Sequence, residues 1–231
     1  MIELIFAIVV IGITLMSVPT LVRQATQSGY VALQQEGINI AASQVNIVMG
    51  YHWDENDTNE SFYDTILQTS GDSNLSEVGL NGHWAGSPVE SSRSFITPSG
   101  VRLTATPPAS LGPDGAEITD DIDDLNGGVI HLTSADSSSV DNVETNTIDI
   151  NITVDYISDA VGGGSYTDPG GDKKITFTPS FTSPSSTVST NIKRITVELT
   201  SSSGIEELEK DIVLHAFSCN IGSYTLEEKR F

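Results

Sequence analysis

From Met1 to Val22 the chain is apolar almost without a break, and Glu3 is the one charged group in the run. A helix of that composition is apolar on every side, so lipid or other protein must bury it all round. Leu4 to Val22 is about long enough to span a bilayer. From Arg23 the pattern changes. Ile38, Ala41, Val45 and Val48 recur at helical spacing, with Ala42 and Met49 beside them, and Gln34, Gln35, Asn39 and Asn46 fall on the opposite side. One long helix over residues 1–53 is therefore predicted. Its first part, residues 1–22, projects, and its amphipathic part lies along a globular domain.

Residues 54–231 form that domain. To about residue 128 it is rich in loops, with short apolar runs and one strand expected at Gly100-Val-Arg-Leu-Thr-Ala-Thr106. After Gly127 and Gly128 strand signals dominate. Ile148, Ile150, Ile152, Val154 and Tyr156 alternate with Asp149, Asn151, Thr153 and Asp155, the period-two pattern of a half-buried strand. Further strands are expected from Lys174 to Phe181, through Ile195, Val197 and Leu199, and from Leu208 through Ile212 and Leu214 to Ala216. Short connections between successive strands imply an antiparallel sheet with one apolar face to cover. The fold class is α+β, a long N-terminal helix whose amphipathic half covers a C-terminal antiparallel sheet.

Charge narrows the partners. The chain has 231 residues, with 31 Asp and Glu against 10 Lys and Arg, a net charge of −21. Such a surface repels nucleic acid and anionic headgroups, so no nucleic-acid partner is expected for the soluble part. Cys219 is the single cysteine, so no intrachain disulfide can form; a small buried residue near a strand end is expected there. A secretory signal is not expected either. No basic residue precedes Glu3, and Ser17 to Arg23 is a poor cleavage context.

Two residues disturb the apolar helix. Pro19 removes a backbone N–H, so the Leu15 carbonyl loses its helical donor, and Gly12 weakens the helix further. Gly12 to Pro19 is thus where a kink or unwinding is expected, with Thr14 and Ser17 offering hydroxyls to freed carbonyls. Glu3 carries a carboxylate into an apolar bundle, which costs several kcal/mol unless it is paired or neutralised.

The segment Ile2-Glu-Leu-Ile-Phe-Ala-Ile-Val-Val-Ile-Gly-Ile13 resembles the N-terminal segment of type IV pilins and type II secretion pseudopilins. Glu3, Gly12 and Pro19 match the family's glutamate, glycine and proline, over roughly the first tenth of the chain. The family register puts the mature N-terminus about two residues before Met1. The resemblance implies a pilin-like fold and gives Glu3 a partner, the N-terminal amine of a neighbouring subunit. It implies an extended Gly12–Pro19 stretch in the filament, and the inner-membrane assembly machinery and a prepilin peptidase as partners. The family's C-terminal disulfide has no counterpart here.

Other candidate sites are weaker. Asp120, Asp121, Asp123, Asp124 and Asn126 could supply oxygen ligands for calcium, with solvated loop carboxylates as the alternative. EF-hand spacing is not met, since Gly127 as turn glycine would put Ile122 in the first ligand position. His52 lies near Asp54, Glu55 and Asp57, but Trp53 packing on the sheet explains that stretch equally; His83 precedes Trp84 in the same way. His131 and His215 fall in strand-like stretches. Asn56, Asn59, Asn74 and Asn151 fit the N-glycosylation pattern, and the Thr182–Thr190 stretch could carry O-glycans. No Gly-x-Ser-x-Gly, His-Glu-x-x-His or Walker motif occurs, and no enzymatic activity is expected.

The expected function is structural. Subunits enter the inner membrane and then polymerise with copies of the same chain into an extracellular filament, apolar helices inside and acidic domains outside. A minor pilin or pseudopilin is the alternative within the class. A monomeric, membrane-anchored binding domain is the alternative outside it.

Overall fold

The computed structural model describes residues 2–57, 64–84, 91, 93–113, 115, 119–133, 147–160, 184–201 and 211–223. One helix, α1 (Ile2–Val48), is followed by loops and short 3-10 turns, then by strands β1 (Val129–Thr133), β2 (Thr147–Tyr156), β3 (Ile192–Ser201) and β4 (Ile212–Cys219). The strands form one antiparallel sheet in the order β1-β2-β3-β4, so each pairs with its neighbour in sequence. The α+β layout matches the expectation.

Helix α1 stops at Val48 rather than near residue 53. Gly50 is the reason. The Gly50 N–H turns to the Ile47 carbonyl and the Tyr51 N–H to the Val48 carbonyl, tightening the last turn into a stop. The helix runs unbroken through Gly12 and Pro19, without the expected unwinding. Hydroxyls bridge back along this stretch: Thr14 donates to Val10 and Ile11, Ser17 to Thr14, and Thr20 to Ser17. They reach those carbonyls rather than that of Leu15, the one Pro19 deprives of its donor.

The chain divides into two compact units. The first comprises residues 1–42, 130–150 and 198–212; the second comprises 43–129, 151–197 and 213–231. In the first unit α1 meets the sheet at Gly37, which lies against Leu199 and Ile148. Ala41, one turn further, is fully buried. This is the amphipathic stripe expected, with Gly37 as an unanticipated member. Ala42 and Met49 are exposed and stand outside it.

Of the alternating apolar positions of β2, Ile152, Val154 and Tyr156 belong to the second unit, and all are buried. With them lie Ile66, Leu67, Phe95, Ala105, Ile122, Ile195 and Val197. Segment 100–106 is not a strand; Thr104 makes a single parallel bridge to Gln68, and the Gln68 N–H donates to the Leu103 carbonyl. Asn220 supplies further backbone pairing, accepting from the Leu67 N–H and donating to its carbonyl. Strand β4 begins at Ile212, and Leu208 lies outside the described residues, as do Asn59 and the strand expected from Lys174 to Phe181. Cys219 closes β4 but is exposed rather than buried, and among the described residues β4 stands at the edge of the sheet.

Candidate functional site

Two features of the molecule are chemically unusual. The first is the apolar end of α1. Every described residue from Ile2 to Gly29 is exposed, with large apolar side chains open at values from 50% for Val9 to 81% for Met16. The helix is long and apolar enough to cross a membrane. Glu3 lies in its first turn, where a carboxylate complements the helix dipole. A Cβ on Gly12 would meet nothing within 4 Å among the described residues outside its own helical turns.

The second feature lies within the second unit, where α1 has ended and Trp53 and Asp54 turn under the sheet. Strand β3 alternates buried and less buried positions, and Lys193 falls on the buried phase with Ile195 and Val197. Its side chain is fully buried. All three ammonium protons are used: Nζ donates to the Trp53 carbonyl at 2.7 Å, Asp54 Oδ2 at 2.9 Å and Asp123 Oδ1 at 2.6 Å. The ammonium also stands 4.3 Å from the Trp53 ring centroid and 5.4 Å from that of Tyr156, within cation–π range. Those two rings meet edge to face at 6.1 Å.

The carboxylates around Lys193 differ in their surroundings. Asp54 accepts from the Thr106 N–H and hydroxyl, the Asn56 N–H and the Tyr156 hydroxyl. The Tyr156 hydroxyl is shared with the Thr106 carbonyl at 2.8 Å. Asp123 has one oxygen on Lys193; its other oxygen, Oδ2, is buried and meets no hydrogen-bond partner among the described residues. Burial pushes Asp123 up to about 7 despite Lys193, and pushes Asp121 up to about 6. Asp57 is pushed up to about 8, first by burial and then by the charges of Asp64 and Asp54.

In the acidic loop proposed for calcium, several side chains are engaged by the protein itself, while Asp120 Oδ1, Asp121 Oδ2 and Asp123 Oδ2 are buried without a hydrogen-bond partner among the described residues. Asp123 turns to Lys193. Asp121 and Asp124 cap nearby backbone: Asp121 accepts from the Asp124 N–H, and Asp124 from the Asp120 N–H. Asn126 accepts from the Val154 N–H and donates to the Leu111 carbonyl. A different set, His52, Asp57 and Asp64, brings its ligand atoms within 4.8 Å of one another, the one such group among the described residues. Its core is a 2.7 Å hydrogen bond between His52 Nδ1 and Asp64 Oδ1. Asp54 and Glu55, the neighbours in sequence, are not part of it.

The other singled-out residues have structural partners. Trp53 is buried and its indole N–H reaches the Ser218 carbonyl. His83 pairs with the Arg93 carbonyl, and Trp84 packs edge to face on Phe95 at 5.8 Å. His131 pairs with Asp149 at 2.7 Å, and His215 faces Thr196. Asn56 and Asn74 are exposed, and Asn151 is half-buried.

Lys193 was the residue missed by reading the sequence. Its signal was phase: it stands two positions before Ile195, in register with the buried face of β3.

Comparison with known protein families, with curated proteins and with solved structures found no match to this chain.

Proposed function

We propose that this chain is the structural subunit of a type IV pilus-like extracellular filament, polymerising through the apolar half of α1. The observation that carries the reading is the exposed apolar surface from Ile2 to Val22, on a helix whose later half buries only a stripe at Gly37, Ala41 and Val48. Each such side chain contributes on the order of 1.5–3 kcal/mol when it is fully buried. A bilayer supplies that burial before assembly, and a helical stack of identical subunits supplies it afterwards, through a heterologous interface that does not close. The partners are then copies of the same chain, with the inner-membrane assembly machinery and a prepilin peptidase acting earlier. The acidic domain faces outward at the cell surface. A minor pilin or pseudopilin would use the same helix in fewer copies.

Glu3 sets the register in this reading, by pairing with the N-terminal amine of the next subunit. The test is Glu3→Ala in producing cells. Surface fibres are expected to disappear while the chain stays in the membrane fraction. Unchanged fibre yield would sink the role of Glu3.

A further inference from the structure

We propose that Lys193 and Asp123 condense into an intramolecular isopeptide bond, with Asp54 as the group that moves the protons. The lysine, the acid and the second carboxylate form one buried cluster with three different roles. Lys193 Nζ sits 2.6 Å from Asp123 Oδ1 and 2.9 Å from Asp54 Oδ2, and its side chain and that of Asp54 are wholly shielded from solvent.

The surroundings decide which carboxyl is attacked. Asp54 is held by five protein donors besides the lysine, the Thr106 N–H and hydroxyl, the Asn56 N–H and side-chain amide and the Tyr156 hydroxyl, which fix its carboxylate beside Nζ as the group that takes the proton. Asp123 has the opposite setting. Its Oδ2 is buried without a partner among the described residues, and burial favours its neutral acid. A neutral carboxylic acid can be attacked by an amine, and its hydroxyl can leave as water.

The step balances without any added reactant. The Lys193 ammonium passes one proton to the Asp54 carboxylate. The neutral amine then attacks Asp123 Cγ, and a new N–C bond forms. The nitrogen loses a second proton, through Asp54, to the departing hydroxyl as the C–O bond breaks. The products are a secondary amide, one water and a protonated Asp54. Nothing is oxidised or reduced. Holding nucleophile and acid in contact replaces a bimolecular encounter, and the Trp53 and Tyr156 rings screen the bond from the water that would reverse it.

The bond would tie the Asp123–Leu125 turn to β3, inside the second unit. With a single cysteine the chain has no disulfide to serve that purpose. A fibre subunit exposed to pulling would gain a covalent clamp.

The test is the intact mass of the whole chain, purified in detergent and then denatured, followed by peptide sequencing of a tryptic digest. The wild type is expected to be one water lighter than its sequence, with a branched peptide joining the segments that carry Asp123 and Lys193 and no cleavage after Lys193. In Asp123→Asn the same attack expels ammonia, so the loss should change from water to ammonia. Asp54→Asn should restore the full mass. A wild-type chain at its full sequence mass would overturn the proposal, and so would a water loss that maps to any other pair of residues. The wild-type measurement needs no variant to fold.

Discussion

Gly37 of α1 lies so close to Leu199 of β3 that a Cβ added to it would stand 2.8 Å from the Leu199 Cδ1 atom, with Ile148 Cδ1 at 3.5 Å. The helix and sheet of the first unit meet at this point because there is no side chain between them. Gly37→Val is expected to destabilise the fold by about 1–3 kcal/mol, since Leu199 and Ile148 are themselves buried and have little room to yield. Gly29→Ala is the counterpart: nothing lies within 4 Å of its added Cβ, so the helix should gain up to about 1 kcal/mol. Urea unfolding of both variants in detergent checks the pair.

Asp57 makes stability fall as pH rises. Its ordinary value is 3.8 and burial raises it to about 8, so between those values the folded chain holds a proton that the unfolded chain has released. The contribution of Asp57 to stability is therefore greatest near pH 4 and declines toward pH 8. Asp121, raised to about 6, acts in the same direction. Asp57→Asn should stabilise the protein at pH 8, by about 1–3 kcal/mol, and leave it nearly unchanged at pH 4. Denaturation midpoints for both chains across that range read the effect; an Asp57→Asn gain that is larger at low pH would contradict it.

Removing Lys193 takes the amine away from Asp54 and Asp123 and leaves two buried carboxyl groups without it. Lys193→Met is expected to cost on the order of 3–5 kcal/mol. Tyr156→Phe, which deletes only the hydroxyl shared by Asp54 and the Thr106 carbonyl, should cost about 1–3 kcal/mol. Equilibrium unfolding measures both, and the lysine variant should be the more damaged.

The exposed apolar end of α1 should be intolerant of charge. Ile11→Lys, near the middle of the apolar run, is expected to disfavour membrane insertion by about 3 kcal/mol. Alkaline extraction of membranes would then release the variant and retain the wild type. Arg23, at the polar end of the run, should accept Lys without loss.

Local pattern was readable here, and long-range pairing was not. Ile148 to Tyr156 announced β2 because each alternate residue is apolar, and the buried face of the strand is that set. The end of α1 was signalled by Gly50, which the apolar stripe through Val48 and Met49 masked. Gly37 carried no apolar weight of its own; its meaning lies in Leu199, far along the chain. The same holds for Lys193, whose partners Trp53, Asp54 and Asp123 come from separate segments that no spacing rule connects. Cys219 was expected to be buried by residue type, but it is exposed at the end of β4, the edge strand among the described residues.

The most direct test of the filament reading is electron microscopy of the sheared cell-surface fraction, labelled with antibody to residues 81–231. Regular label along the length of fibres is the expected result, and label confined to fibre tips would make the chain a minor subunit. Label found only on membranes, with no fibres, would contradict polymerisation and leave a membrane-anchored monomer.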